Sequence, residues 1–572
     1  MNVRVLNLLA AVGLVVFCLV VFGQIVQFEF VGYDDILYVT ENTMVLKGLT
    51  WESVQESLTY MDIAEWQPLT FMSHMLDIEL FGMNAGGHHA VSLFWHILNV
   101  LLLYALLVRM TRNAICSLAV AILFAIHPYQ SEPVSWIASR KDLLYTAFTL
   151  GTLILYVEHV VRNSRVAYVC SIIFACLAWT AKPSAIIIPF YLIFLDYWPL
   201  ERAGRAPAWG RFLRVSALDK VPFAIISCAG FLNTLVAGEV LDVTSASEAW
   251  PLHLRVANAA TVYLIYLRKI FWPGGFSAFY PHPGVDTSIA IGACAFVALI
   301  VITFFAYRLR QTRAYILIGW CWFVVALAPV VGLVPIGTHR MADRYMYFVI
   351  VGPAIAIVWS ISGIERARMR QIVSIVFTVW LIVLVAGARL QTRTWQNAST
   401  LWTHAVQVDS TNAFAWNNLG AYYVDNGNIA EGLPYLQSAV DYAPHWDTAH
   451  GNLADALLAL ARPEDAIGHY DAVLRSNPNE ARALNGLGVA YLQLNRPNEA
   501  RPVLGHLVDQ QPKNVEYRYH YGLTFLALAD WQKAAVIFEE VLELDPDFHL
   551  ARTRLDEIRS RIPEIENPNI EN

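Results

Sequence analysis

The chain has 572 residues, 57% hydrophobic and 13% aromatic, with only 15% charged, too few charges for an ordinary soluble enzyme of this size. Its net charge of −7 hides an uneven split: 22 acidic and 26 basic residues precede position 390, and 24 and 13 follow it. Neither half has the basic excess of a nucleic-acid-binding chain.

In chain order, the first apolar run, 6–27, has no small-residue cleavage site and reads as a retained helix. Further windows of membrane-helix length fall near 89–108, 113–127, 143–161, 166–181, 184–199, 221–238, 287–306, 314–335, 346–363 and 372–389. The basic groups at Arg109/Arg112, Arg162/Arg165, Arg202 to Lys220, Arg308 to Arg313 and Arg366 to Arg370 place one side inside. Segment 256–272, interrupted by Arg268 and Lys269 and ended by Trp272–Pro273–Gly274–Gly275, reads as re-entrant or interfacial. Eleven crossings follow, with the N-terminus cytoplasmic and everything after residue 390 on the periplasmic or endoplasmic reticulum lumenal side. The seven cysteines all lie in apolar stretches without a CxxC pair, as small packing residues do.

The outer loops hold most of the polar residues that a site needs. The first, 28–88, carries Asp34, Asp35, Trp66, Gln67, His74, Asp77, His88 and His89. Within it, 50–58 reads as a short helix capped by Thr50, with Ser53 and Glu56 on its wet side. A carboxylate at a helix mouth must face water or a polar cavity, so Asp34–Asp35 marks a candidate general base. Adjacent side chains diverge, so one acid would be catalytic and the other structural, with Asp35 slightly favoured. The same pair also fits a solvated turn. In the second outer loop, 128–142, Glu132 suits a sugar hydroxyl and Arg140 and Lys141 suit a phosphate, although charges snorkelling at a helix start give the same pattern. Lys182, before Pro183 in an apolar hairpin, needs an anion. Arg340 and Arg344 in His339–Arg340–Met341–Ala342–Asp343–Arg344–Tyr345 offer forked donors for phosphate, or an Asp343–Arg344 pair that fastens helices. His74 completes the substrate-binding candidates. The spacing of His74, His88 and His89 matches no strong zinc motif. A divalent metal is left open, and no other cofactor is implied.

After residue 390 the chain becomes periodic. Gly420, Ala454, Gly488 and Gly522 recur every 34 residues, as do Pro444, Pro478, Pro512 and Pro546, and Ala466, Ala500 and Ala534. This is the tetratricopeptide signature. The fold class is therefore all-α: a polytopic membrane bundle in 1–390, a connecting helix in 391–412, four repeats in 413–548 forming an α-solenoid, and a capping helix with a frayed tail in 549–572.

No P-loop, nucleophile elbow or dinucleotide fingerprint is present, so a lipid-linked donor fits the outer polar groups better than a cytosolic nucleotide. The chain resembles the transmembrane and tetratricopeptide repeat-containing O-mannosyltransferases. The resemblance rests on Tyr33–Asp34–Asp35, Trp66–Gln67–Pro68–Leu69–Thr70, Gly87–His88–His89 with Trp95–His96 and Asn99, and His127–Pro128 through Glu132 to Arg140–Lys141–Asp142. It continues in Lys182–Pro183, Leu195–Asp196–Tyr197–Trp198–Pro199–Leu200, Asp343–Arg344–Tyr345 and Trp395. It implies a C-type membrane glycosyltransferase that moves a sugar, often mannose, from a polyprenyl-phosphate to protein Ser or Thr hydroxyls. Catalysis would be a direct, inverting displacement assisted by Asp34–Asp35, with Arg140, Lys182 and Arg344 steadying the departing phosphate and the repeats engaging the acceptor or a partner. Four repeats, fewer than in many animal members, point to a prokaryotic relative. The competing readings are a non-catalytic membrane-anchored scaffold that displays the repeats, and a flippase, which would also need an inner-facing site.

Overall fold

In a bilayer the backbone must satisfy its own hydrogen bonds, which makes every long apolar run a helix. Among the described residues each of the eleven apolar windows is mostly helical, the 314–335 window only over Ala314–Leu327. The computed structural model describes residues 3–61, 65–204, 209–240, 250–333 and 338–561; parts of the expected outer loops 239–286 and 336–345 and the tail 563–572 lie outside them. The chain divides into two units, Met1–Val408 and Asp409–Asn572.

The first unit is a membrane-type helix bundle. Among the described residues, five helices are long and apolar enough to cross a membrane, and up to eight spans result if each of three bent pairs is one span. The other three expected crossings are the shorter helices Arg165–Ala181, Pro183–Tyr197 and Ala314–Leu327. By length and composition, five to eight spans pass among the described residues, and these three shorter apolar helices occupy the remaining expected crossings. Proline explains one shortfall. Lys182, forced extended before Pro183 (φ −157°, ψ 135°), ends the helix at Ala181.

Segment 256–272 lies within one unbroken helix, Leu252–Phe271. Arg255 Nη1 near its start donates to Leu333 O (2.6 Å), and Lys269 near its end pairs with Asp343 (3.1 Å). Both ends therefore bond to the short stretch that follows helix Ala314–Leu327. There His339–Met341 pairs antiparallel with Tyr280–Pro281. Residues 128–142 depart from the expected outer loop. The chain bends by 53° after Ile126, because Pro128 cannot continue the ladder, and then runs through short helical turns that are buried throughout. Two of their polar groups reach distant backbone: Gln130 Nε2 donates to Tyr347 O (3.3 Å) and Ser131 Oγ to Ala388 O (3.2 Å). The surface helix of the first loop is Trp51–Thr59, capped by Thr50. Ser53 is buried rather than wet, since its hydroxyl closes the capping box and donates to Gly48 O (2.6 Å).

The second unit is a solenoid of antiparallel helix pairs that begin at Ala413, Asp447, Ala481 and Val515, followed by His549–Arg561. The 34-residue period has a steric cause. A Cβ on Gly420 would lie 2.6 Å from Leu436 Cγ, one on Gly488 2.4 Å from Leu504 Cγ, and one on Gly522 2.7 Å from Phe538 Cε1. The small residue of each first helix thus receives the large residue sixteen positions later in the second. Overpacking of this kind costs about 1–3 kcal/mol. Gly488→Val is therefore expected to lower the melting temperature of the repeat unit, followed by circular dichroism, while Gly451→Val, at an open position, leaves it nearly unchanged.

Candidate active site

The site begins with a turn. Gly32 (φ +66°) and Tyr33 (φ +52°) are both left-handed, which glycine adopts freely and tyrosine rarely. Stacking holds Tyr33 there: its ring lies 4.9 Å from Trp136 with the planes at 11°, and Trp402 meets it edge-on at 5.3 Å. The turn sends the two acids apart. Asp35 is 1% exposed and accepts from Val31 N (3.1 Å) and from Ala138 N (3.0 Å), 103 residues away. Burial pushes its pKa up to about 7, against the pull of those two amides. Asp34 is half-buried and makes no hydrogen bond to a described residue. Burial raises its pKa as well, opposed by Lys141 and Arg344 and reinforced by Glu65.

Three cations share this neighbourhood. Lys141 Nζ donates to Tyr38 Oη (2.8 Å) and Glu65 Oε2 (2.9 Å). Arg344 Nη1 donates to Glu132 Oε1 (2.8 Å), and its backbone N donates to Glu132 Oε2 (3.0 Å). Its guanidinium lies 5.2 Å from the rings of both Trp136 and Tyr345. Lys182 Nζ pairs with Asp142 Oδ1 (2.5 Å) and sits 5.6 Å from the Tyr345 ring. Burial alone would raise Glu65, but Lys141, Lys182 and Arg344 overcome it, and its carboxyl lies below the ordinary glutamate value. An ammonium has three donors and a guanidinium five, so all three cations keep donors for a further anion.

The structure thus brings together Asp34, Glu132, Lys141, Lys182 and Arg344, and makes Asp35 their anchor. It places three other candidates elsewhere. Arg140 is fully buried and spent on Ser92 Oγ (3.1 Å), Ser73 Oγ (3.0 Å), Asp77 Oδ2 (2.8 Å) and His88 O (2.7 Å). His74 is buried beside Asp77 and His88, not His89. Arg340 alternates with its neighbour on strand His339–Met341: Arg340 lines a cavity with Arg268, Ile291 and Cys294, while His339 Nε2 meets Tyr345 Oη at 2.8 Å. Asp343 pairs with Lys269 and Tyr280, not with Arg344. Sequence reasoning missed Glu65, and named His339 in its cluster without giving it a role. The acid directly before Trp66–Gln67–Pro68 was the available signal for Glu65. Other motif residues are structural pins. Asn99 Nδ2 donates to Leu143 O (2.9 Å), His127 Nε2 to Ile270 O (3.0 Å), and Asp196 accepts from Tyr156 Oη (2.8 Å) and Ser216 Oγ (2.7 Å).

Comparison with known proteins defines the class of each unit. The tetratricopeptide repeat family matches residues 417–466, 452–504 and 490–547, and the second unit is a tetratricopeptide-repeat solenoid. Among curated proteins, the chain is 21% identical over 443 residues to protein O-mannosyl-transferase TMTC3 of Mus musculus, covering 71% of this chain and 47% of the relative. It is 21% identical over 395 residues to a protein O-mannosyl-transferase of Caenorhabditis elegans, covering 67% and 54%. The resemblance to the transmembrane and tetratricopeptide repeat-containing O-mannosyltransferases is borne out by these matches, and the chain spans about half the length of the curated relatives. Among solved structures, MamA from Desulfovibrio magneticus is 23% identical over 26% of this chain and 84% of its own, with a TM-score of 0.25.

The two acids are separable by stability. In Asp35→Asn an amide NH₂ replaces an oxygen that accepts a backbone N–H, leaving a buried donor unanswered at a cost of about 1–3 kcal/mol. Asp35→Asn is expected to lower the melting temperature of the detergent-solubilised protein, and Asp34→Asn to leave it within error of the parent.

Proposed function

We propose that this chain is a membrane glycosyltransferase. It moves a sugar, mannose in the first instance, from a polyprenyl-phosphate donor to Ser or Thr hydroxyls of a protein on the outer face, and the repeat unit engages the acceptor. The observation that carries this reading is the half-buried Asp34 carboxylate, with no hydrogen bond to a described residue and with Lys141 and Arg344 acting on it.

Ionised Asp34 accepts the proton of the acceptor hydroxyl as its oxygen forms the new bond to the anomeric carbon. The bond from that carbon to the phosphate oxygen breaks, and the electron pair leaves with the polyprenyl phosphate. Lys141, Lys182 and Arg344 use their remaining donors to hold the developing charge, an arrangement that is strong in a water-poor site. Glu65 and Glu132 keep these cations oriented. A single displacement inverts the anomeric configuration. Asp35 positions the turn and takes no part in the transfer.

The test is sugar transfer in membranes supplied with radiolabelled polyprenyl-phosphate-mannose. Asp34→Asn is expected to lower kcat by roughly 10²–10⁴-fold and Arg344→Ala by on the order of 10²–10³-fold. Transfer undiminished in Asp34→Asn would overturn the assignment. The pH dependence has a definite sign. The base works ionised, so activity is lost as pH falls through its pKa, and because Asp34 is raised from 3.8, the acid limb of kcat/KM lies above that value. Lys141 pulls this pKa down, so in Lys141→Ala the residual activity should show its acid limb shifted to higher pH.

A further inference from the structure

Helix Pro68–Phe81 presents His74 and Asp77 one turn apart, and helix Ala85–Thr111 brings His88 against them. One donor atom from each of the three lies within 4.8 Å of the others, and all three residues are buried. Their hydrogen bonding leaves a gap. His88 Nε2 lies 2.9 Å from Gly82 O. A carbonyl only accepts, so Nε2 carries the proton, and in the neutral ring Nδ1 is a bare lone pair. Nδ1 lies 3.4 Å from Asp77 Oδ2, acceptor beside acceptor. His74, fully buried, has no hydrogen-bond partner at either ring nitrogen. Burying polar groups unanswered in this way is costly.

We propose that His74, Asp77 and His88 form a zinc site. Two imidazole nitrogens and a carboxylate oxygen are a set that Zn²⁺ takes. The 3.4 Å between His88 Nδ1 and Asp77 Oδ2 is close to the edge of a tetrahedron with bonds of about 2.0–2.1 Å. Two surrounding contacts fit the same purpose. Gly82 O fixes the His88 tautomer that turns Nδ1 inward, and Arg140 Nη2 at 2.8 Å from Asp77 Oδ2 holds the carboxylate, as outer partners of zinc ligands do. Arg140 also repels a cation, but the alternative, an imidazolium at His88, meets the same repulsion and leaves His74 unanswered. The metal gains bonds to all three donors. Its role is structural. It pins the two helices together and, through Asp77, fixes Arg140, whose neighbour Lys141 faces Asp34. None of its ligands belongs to the Asp34 group, so the site stands apart from the transfer reading.

The test uses the full chain in detergent, stripped with a chelator, incubated with zinc chloride, and assayed for bound metal by inductively coupled plasma mass spectrometry after gel filtration. The expected result is about one zinc per chain, at least about tenfold less in His74→Gln and His88→Gln, and an unchanged content in His89→Gln. If the variants fail to fold, the parent alone decides. Chelation should lower its melting temperature and zinc should restore it, and Co²⁺ should give the visible absorption of a tetrahedral nitrogen–oxygen site. A parent that binds no zinc after stripping and refilling, or one whose zinc persists in His74→Gln, overturns the proposal.

Discussion

Charge in a water-poor layer must be answered by opposite charge or by hydrogen bonds, and the architecture of the first unit follows from that requirement. Its ion pairs join parts of the chain far apart in sequence: Lys141 with Glu65, Lys182 with Asp142, Arg344 with Glu132, Lys269 with Asp343, and Arg140 with Asp77. Three of the pairs fasten a loop or short turn to a long helix, Arg344–Glu132 ties two short turns together, and Arg140–Asp77 ties two long helices. Together they order the layer that holds the Tyr33 turn. Against these ion pairs, Asp34 stands out as a half-buried carboxylate with cations nearby and no hydrogen bond to a described residue. A group left free where its neighbours are engaged is available for chemistry, and the functional reading grows from that contrast.

The same pairs also keep the cations poised. A buried lysine or arginine with no partner is costly, whereas one balanced by a glutamate keeps its charge and most of its donors. Lys141 and Arg344 can then meet a phosphate without first being ordered, as electrostatic preorganisation requires.

Much of the fold was legible in the sequence because its causes are local or periodic. The apolar windows became helices, and the 34-residue period reflects one repeated contact between a small residue and a large one. The site was less legible, because its decisive contacts are distant. Nothing in Asp34–Asp35 itself separates the two acids; the separation comes from the left-handed Tyr33 and from Ala138 N, 103 residues on. Arg140 and Lys141 are adjacent, yet successive helix positions face directions about 100° apart, so one is buried among Ser73, Asp77 and Ser92 while the other meets Glu65. Strand alternation divides His339 from Arg340 in the same way. Composition showed the charges, and only the fold showed which of them were already spent.

The most direct test of this account is chemical labelling of carboxyl groups in the solubilised protein with a hydrophobic carbodiimide, mapped by peptide mass spectrometry. That reagent attacks protonated carboxyls in apolar surroundings. The account predicts that Asp34, raised in pKa and half-open, reacts first, while Asp35, Asp77, Asp142 and Asp343, enclosed by their partners, stay unmodified over the same time. Labelling of Asp35 ahead of Asp34 would contradict it.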